Sequence, residues 1–201
     1  MRCLLIGGLL VFAGYASANS VLFTSYVGND AGASTTTSDY EGIQFTATGT
    51  GSLFQVMVSP LALGATSPVT WPLTLYTDSA GEPGTVLETW NISVSNSGTV
   101  PIMVASVVQP MITAGDVYWL VVQNTTQTSI ADMGWENYSG DTGGFWTAEF
   151  NTLNTMAQAF PTEGLAGAEL TTTPEPSSSA LLGAGCVVLL GIVSMRKAPS
   201  R

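Results

Sequence analysis

From residue 21 to about residue 170, apolar and polar positions alternate with a period of two, and turn residues recur every eight to fifteen positions. In GIQFTAT, Ile43, Phe45 and Ala47 fall on one face. SLFQVMVS does the same with Phe54, Val56 and Val58, and WPLTLYT with Trp71, Leu73 and Leu75. VLETWNISV groups Val86, Trp90, Ile92 and Val94, with Glu88 interrupting the set. PIMVASVV puts Ile102, Val104 and Val108 in phase, and DVYWLVVQ is apolar on both faces, as a central strand is. Weaker strands are predicted at 130–135, 144–150, 156–160 and 165–170, and no segment sustains a helical repeat. Residues 28–40, GNDAGASTTTSDY, read as a solvated loop.

Nine or ten short strands in roughly 150 residues predict an all-β fold, a single antiparallel β-sandwich of jelly-roll-like kind. Periodicity leaves immunoglobulin-like connectivity open, although no Cys…Trp…Cys spacing supports a true immunoglobulin domain.

The two ends have another texture. Residues 1–18, MRCLLIGGLLVFAGYASA, combine Arg2, an apolar run and the small-x-small triplet Ala16-Ser17-Ala18. This is the pattern of a secretory signal peptide cut after Ala18. Residues 171–179, TTTPEPSSS, form an extended linker. Residues 180–201 begin with sixteen uncharged positions and then carry Arg196, Lys197 and Arg201. As a helix, 180–195 spans about 24 Å, slightly short of the ~30 Å bilayer core. The basic pair places its C-terminal end in the cytoplasm. The predicted organisation is a signal-peptide helix (1–18), a β-sandwich ectodomain (19–170), a linker (171–179) and a transmembrane tail (180–201).

Charge narrows the function classes. The chain has formal net charge −10, and its four basic residues all lie in the terminal segments. Between Asn19 and Thr173 there is no Lys, Arg or His against thirteen acidic residues, Glu175 being the fourteenth in the chain. A cation-free surface cannot neutralise phosphates, which excludes nucleic acid as a partner. The two cysteines, Cys3 and Cys186, both sit in terminal apolar segments, so the middle region has neither a disulfide framework nor a thiolate metal site. Serine-type catalysis lacks its base there, and no phosphate-binding G-x-x-x-x-G-K occurs. The expectation is therefore no catalytic activity and no cofactor.

Carboxylate chemistry remains open. Residues 131–150 interleave Asp132, Glu136, Asp141 and Glu149 with Trp135, Tyr138, Phe145 and Trp146. Trp135, Tyr138 and Trp146 would offer stacking faces to sugar rings, with Asn137 and Asp141 binding hydroxyls. Two of the four carboxylates would serve a glycosidase. Oxygen-ligated Ca²⁺ could sit at Asp141 with Glu136 or Asn137, or at Asn29, Asp30 and Asp39. The alternative for this cluster is structural, with Trp135 and Trp146 capping the core and 139–144 forming a hairpin loop.

The order Pro174-Glu175-Pro176, a Gly-containing apolar run with Gly183, Gly185 and Gly191, then Arg196-Lys197 near the chain end, resembles the PEP-CTERM sorting signal of exopolysaccharide-producing Gram-negative bacteria. In this chain the basic cluster is diluted by Ala198-Pro199-Ser200 before Arg201. The resemblance implies recognition by exosortase, a membrane transpeptidase, with cutting near the triplet and release to the cell surface or exterior. The middle region is similar to the choice-of-anchor domains that accompany such tails. That likeness rests on LTLYTDSAGEPGTVLETW (73–90), read as strand, Gly-Pro-Gly turn and strand, and on ITAGDVYWLVV (112–122), read as a tight turn at Gly115-Asp116 entering a core strand. It implies a surface β-sandwich of unassigned molecular activity; the alternative, a carbohydrate-binding module, would take the cell's own exopolysaccharide as partner.

Overall fold

The computed structural model describes residues 20–26, 30–36, 40–96, 101–125, 132–138, 146–152, 155–159 and 165–172. Ser20–Thr173 is one compact unit. Its described residues are all-β with antiparallel pairing throughout, and no helix among them is long and apolar enough to cross a membrane. The predicted signal peptide and the tail at 180–201 lie outside the described residues.

Fifteen strands run in chain order among the described residues: β1 (Val21–Thr24), β2 (Asp30–Thr36), β3 (Tyr40–Thr46), β4 (Gly51–Val58), β5 (Pro60–Leu63), β6 (Val69–Ser79), β7 (Glu82–Val94), β8 (Ile102–Ala105), β9 (Met111–Ile112), β10 (Val117–Gln123), β11 (Asp132–Tyr138), β12 (Trp146–Thr152), β13 (Thr155–Ala159), β14 (Leu165–Ala166) and β15 (Ala168–Thr172). A six-stranded sheet has the order β13-β12-β3-β10-β6-β7. A five-stranded sheet has the order β1-β15-β4-β8, with β9 also on β4. A third sheet has the order β14-β11-β2, with β5 beside β11.

Side chains from all three sheets meet in one core, which makes the arrangement β-sandwich-like. The six-stranded sheet contributes Ile43, Phe45, Trp71, Leu73, Leu75, Tyr118, Leu120 and Val122, all buried in the period-two phase of the sequence. The five-stranded sheet faces them with Leu22, Phe23, Leu53, Val56, Val58 and Leu170. Phe23 stacks on Phe45 with ring centroids 4.5 Å apart, joining the two layers. DVYWLVVQ is central, as its two apolar faces predict: β10 lies between β3 and β6. Its other face packs Trp119 and Val121 with Tyr76 in a second buried cluster.

Two continuous stretches turn a corner between sheets. β4 runs into β5 through Ser59, and β14 runs into β15 through Gly167. Beyond the corner β4 and β15 no longer pair, and β11 lies beside both β5 and β14. Strands that switch sheets at a bend are a recognised way to close sandwich corners.

Several sequence expectations need correction. Thr171 and Thr172, expected to open the linker, are instead the end of β15, where Thr171 pairs with Val21 and Gln55 and Thr172 with Leu53. Residues 30–36 are strand β2, paired with β11 from Met133↔Thr36 to Tyr138↔Asp30, not a solvated loop. Val86 leaves the core face and is 54% exposed, because the register shifts between Leu75↔Glu88 and Tyr76↔Val86 and leaves Leu87 as a bulge. Phe54 is half-buried and Leu53 takes its core position. Val108 lies past the end of β8 and is exposed.

The β6–β7 turn is at Ala80-Gly81, inside the Ser79↔Glu82 pair, whereas Pro83 and Gly84 already belong to β7. Both turn residues have positive φ (59° and 88°), as a type I′ hairpin requires. Alanine is strained there and Asn-Gly is the favoured pair, so Ala80→Asn should stabilise the domain by about 0.5–1 kcal/mol. A rise in thermal midpoint of a few degrees would show this, and a fall would contradict it. The second turn lies close to the predicted place: Asp116 N–H donates to Thr113 O at 3.2 Å around Gly115, whose φ is 88°.

Candidate functional site

The predicted sorting residues Pro174, Glu175, Pro176, Arg196 and Lys197 lie outside the described residues, as do the cleavage residues Ala16 and Ala18 and the loop positions Asn29, Asp39 and Asp141. Trp135, Glu136, Asn137 and Tyr138 lie together on β11, whereas Trp146 and Glu149 lie on β12 in the six-stranded sheet. Trp146 is in register with Gln44, and Glu149 with Glu41. Asp30 on β2 faces Tyr138 across the ladder. Among the described residues no group of three His, Cys, Asp or Glu side chains could hold a metal ion.

Trp135 is not a stacking face. Its side chain is 0% exposed, and its indole N–H donates to Gly167 O at 3.0 Å. The same carbonyl accepts Ser59 N–H at 3.2 Å. Trp135 therefore fills the corner where β4 and β15 diverge, and it supplies a hydrogen bond to backbone that has left the ladder. Ser25 and Tyr26 complete the corner. Ser25 Oγ accepts Ala168 N–H at 2.8 Å, and the Tyr26 hydroxyl pairs with Ser59 Oγ at 2.8 Å. This is the structural alternative for Trp135.

An open cleft of about 410 Å³ lies at one end of β6 and β10, lined by Thr77, Asp78, Gly115, Asp116, Val117 and Tyr118. Asp78 is held in place from three segments. Its Oδ1 accepts Gln44 Nε2–H and Trp119 Nε1–H, each at 2.8 Å, and its Oδ2 accepts Gly81 N–H at 3.1 Å. Burial alone would raise its pKa, but the donors from Gly81, Trp119 and Gln44 together hold the carboxyl below its usual value. Asp78 and Asp116 give the cleft acceptors and negative charge, so it suits hydroxyl-bearing or cationic groups and repels anions.

The depressed pKa has a signed consequence. The contribution of Asp78 to stability is present above the unfolded carboxyl value of 3.8 and is lost as pH falls through the lower folded value. Asp78→Asn should therefore lower the thermal midpoint at pH 6, and the gap to the parent protein should narrow toward pH 3. A gap that stays constant over this range would contradict the assignment.

A third feature is an apolar loop held on a buried carboxylate. Glu88 on β7 is only 5% exposed. Its Oε2 accepts Ser106 Oγ–H at 2.5 Å, and its Oε1 accepts Val107 N–H at 2.7 Å and Val108 N–H at 3.2 Å. Ser106 Oγ in turn accepts Gln109 N–H at 2.8 Å. The loop after β8 is thereby fixed with Val107 (87% exposed) and Val108 facing outward, and Met103 on β8 and Met111 on β9 are exposed as well. Trp90 N–H also donates to Ala105 O at 3.0 Å. Side chains of β7 thus close this edge of the sandwich onto β8.

Asp78 and Glu88 are not singled out by the sequence as binding residues, yet each leaves a trace. Asp78 precedes Ser79-Ala80-Gly81, the pattern of an aspartate bonding backbone three residues on. Glu88 is the single charge in an otherwise apolar face. No protein-family model matches this chain, and no curated protein matches it significantly.

Proposed function

We propose that this is an exported surface or matrix protein whose ectodomain has no catalytic activity. It would be delivered by the N-terminal signal peptide and held by the 180–201 tail, with the Pro-Glu-Pro linker before it as part of the sorting signal. In this reading the ectodomain is a single jelly-roll-like β-sandwich, flanked by an apolar helix at each chain end. An exosortase-type transpeptidase reads Pro174-Glu175-Pro176 and the Arg196-Lys197 end, then releases the domain to the cell surface or exterior.

One observation carries the reading: the compact unit begins at Ser20 and ends at Thr173, one residue past the predicted signal cleavage and directly before the Pro-Glu-Pro triplet. A cation-free, acidic domain between two apolar ends is also what keeps a released protein soluble. Replacing Pro174, Glu175 and Pro176 together by alanine should leave uncut protein in the inner membrane of the producing cell. Unchanged surface yield would contradict the sorting role.

A second reading, a carbohydrate-binding module for exopolysaccharide, is favoured by the hydroxyl-accepting Asp78 cleft rather than by Trp135. Glycan-array binding that Asp116→Asn abolishes would support it, and the absence of any bound glycan would count against it.

A further inference from the structure

The two ends of the domain lock onto each other. Thr172 N–H donates to Ser20 O at 2.8 Å, and Ser20 N–H donates to Thr172 Oγ1 at 3.3 Å. β1 and β15 pair antiparallel from Val21↔Thr171 to Thr24↔Glu169. Thr172 is only 6% exposed although it is the terminal residue of β15. Its side chain lies over Gly51, where a Cβ would come within 2.6 Å of Thr172 Cγ2. β15 is an interior strand, bounded by β1 and β4. Only Thr173 separates this clasp from Pro174, whose missing N–H could not extend the ladder.

Chain ends are normally the first part of a domain to fray and be trimmed, unless they are tied down. We propose that the Ser20–Thr172 clasp is a processing stop. It confines peptide-cleaving enzymes to residues 173–179 at one end and to residues before Ser20 at the other, so that terminal cleavage leaves the domain whole. Such enzymes take their substrate as an extended strand through its backbone groups. In β15 those groups are committed on both sides, to β1 and to β4. Cleavage inside β15 therefore requires two ladders to open together, whereas residues 173–179, TPEPSSS, have the composition of an extended linker. Fully extended, seven residues reach about 23 Å, which sets how near the fold an enzyme acting on the linker must work.

This inference rests on the proposed sorting role only for the identity of the natural enzyme. The stop itself belongs to the fold and can be tested with an unspecific protease. The mature chain, residues 19–201 in detergent micelles, is digested with proteinase K and followed by intact mass. The expected resistant fragment begins at residues 19–21 and ends at 172–174. A fragment ending before Ala168, or cleavage within β15 as fast as within 173–179, would overturn the proposal.

Thr172→Val removes the hydroxyl acceptor and keeps the methyl, and Gly51→Ala displaces the Thr172 side chain. Each should speed cleavage within 168–172 by about tenfold, because cleavage follows the population of the open form. Parent-like rates in both variants would show that the clasp is not the barrier. Thermal melts establish that each variant is folded during the assay, and the boundary of the parent fragment decides the question if one is not. A tail left uncut in cells would count against the sorting role and leave the stop intact, while a ragged resistant fragment would do the reverse.

Discussion

Glu88→Ala should destabilise the domain by about 2–4 kcal/mol, the range expected when a buried hydrogen-bond acceptor that serves several donors is removed. In the native protein its two oxygens take Ser106 Oγ–H and the N–H groups of Val107 and Val108. Removing the carboxylate leaves these donors without their acceptor at the edge where β7 meets β8. At ~2–4 °C per kcal/mol for a domain of this size, the thermal midpoint should fall by roughly 10 °C. Glu88→Gln should fall between the two proteins. It keeps the shape and one acceptor oxygen, but turns an N–H₂ group toward a hydroxyl that already donates there. Chemical denaturation followed by tryptophan fluorescence measures the series. A Glu88→Ala variant within about 1 kcal/mol of the parent would contradict the loop's dependence on this side chain.

Trp135→Ala should cost about 3–5 kcal/mol, as expected for a large aromatic removed from a core. It also takes away the indole donor to Gly167 O at the corner between sheets. Trp135→Phe separates the two effects. It retains much of the apolar volume and loses only the hydrogen bond and part of the ring, so about 1–2 kcal/mol is expected. A surface stacking residue would behave differently, because its loss would weaken sugar binding while leaving stability near that of the parent. Trp135→Ala with parent stability and lost glycan binding would overturn the core assignment.

The strands differ in how far the sequence specifies them. β3, β6 and β10 are legible because large apolar residues recur at alternate positions in each, and burial follows that phase with Ile43, Phe45, Leu73, Leu75, Leu120 and Val122. β2 is not legible, since Asp30-Ala31-Gly32-Ala33-Ser34-Thr35-Thr36 has no large apolar residue and is specified by pairing with β11. Bulges erase phase locally: one at Leu87 turns Val86 outward, although Trp90, Ile92 and Val94 beyond it keep the expected face. The hairpin turn was hidden because Ala80 is a poor residue for positive φ, while the nearby Pro83 and Gly84 are stronger turn signals.

At the candidate site, Trp135 sits among carboxylates and glycines in the sequence, which is the texture of a binding loop. Strand register with β5 and β2 puts it in the core instead. The Asp78 cleft was invisible for the opposite reason, since Gln44, Asp78 and Trp119 are brought together only by the β3-β10-β6 order.

In the proposed function, a self-contained β domain, closed between Ser20 and Thr172, is freed from a removable segment at each end. Intact-mass spectrometry of the protein recovered from its producing cells tests this most directly. The expected mature chain begins at Asn19 and ends within residues 173–179. A chain that still carries residues 180–201, or one cut inside β15, would contradict it.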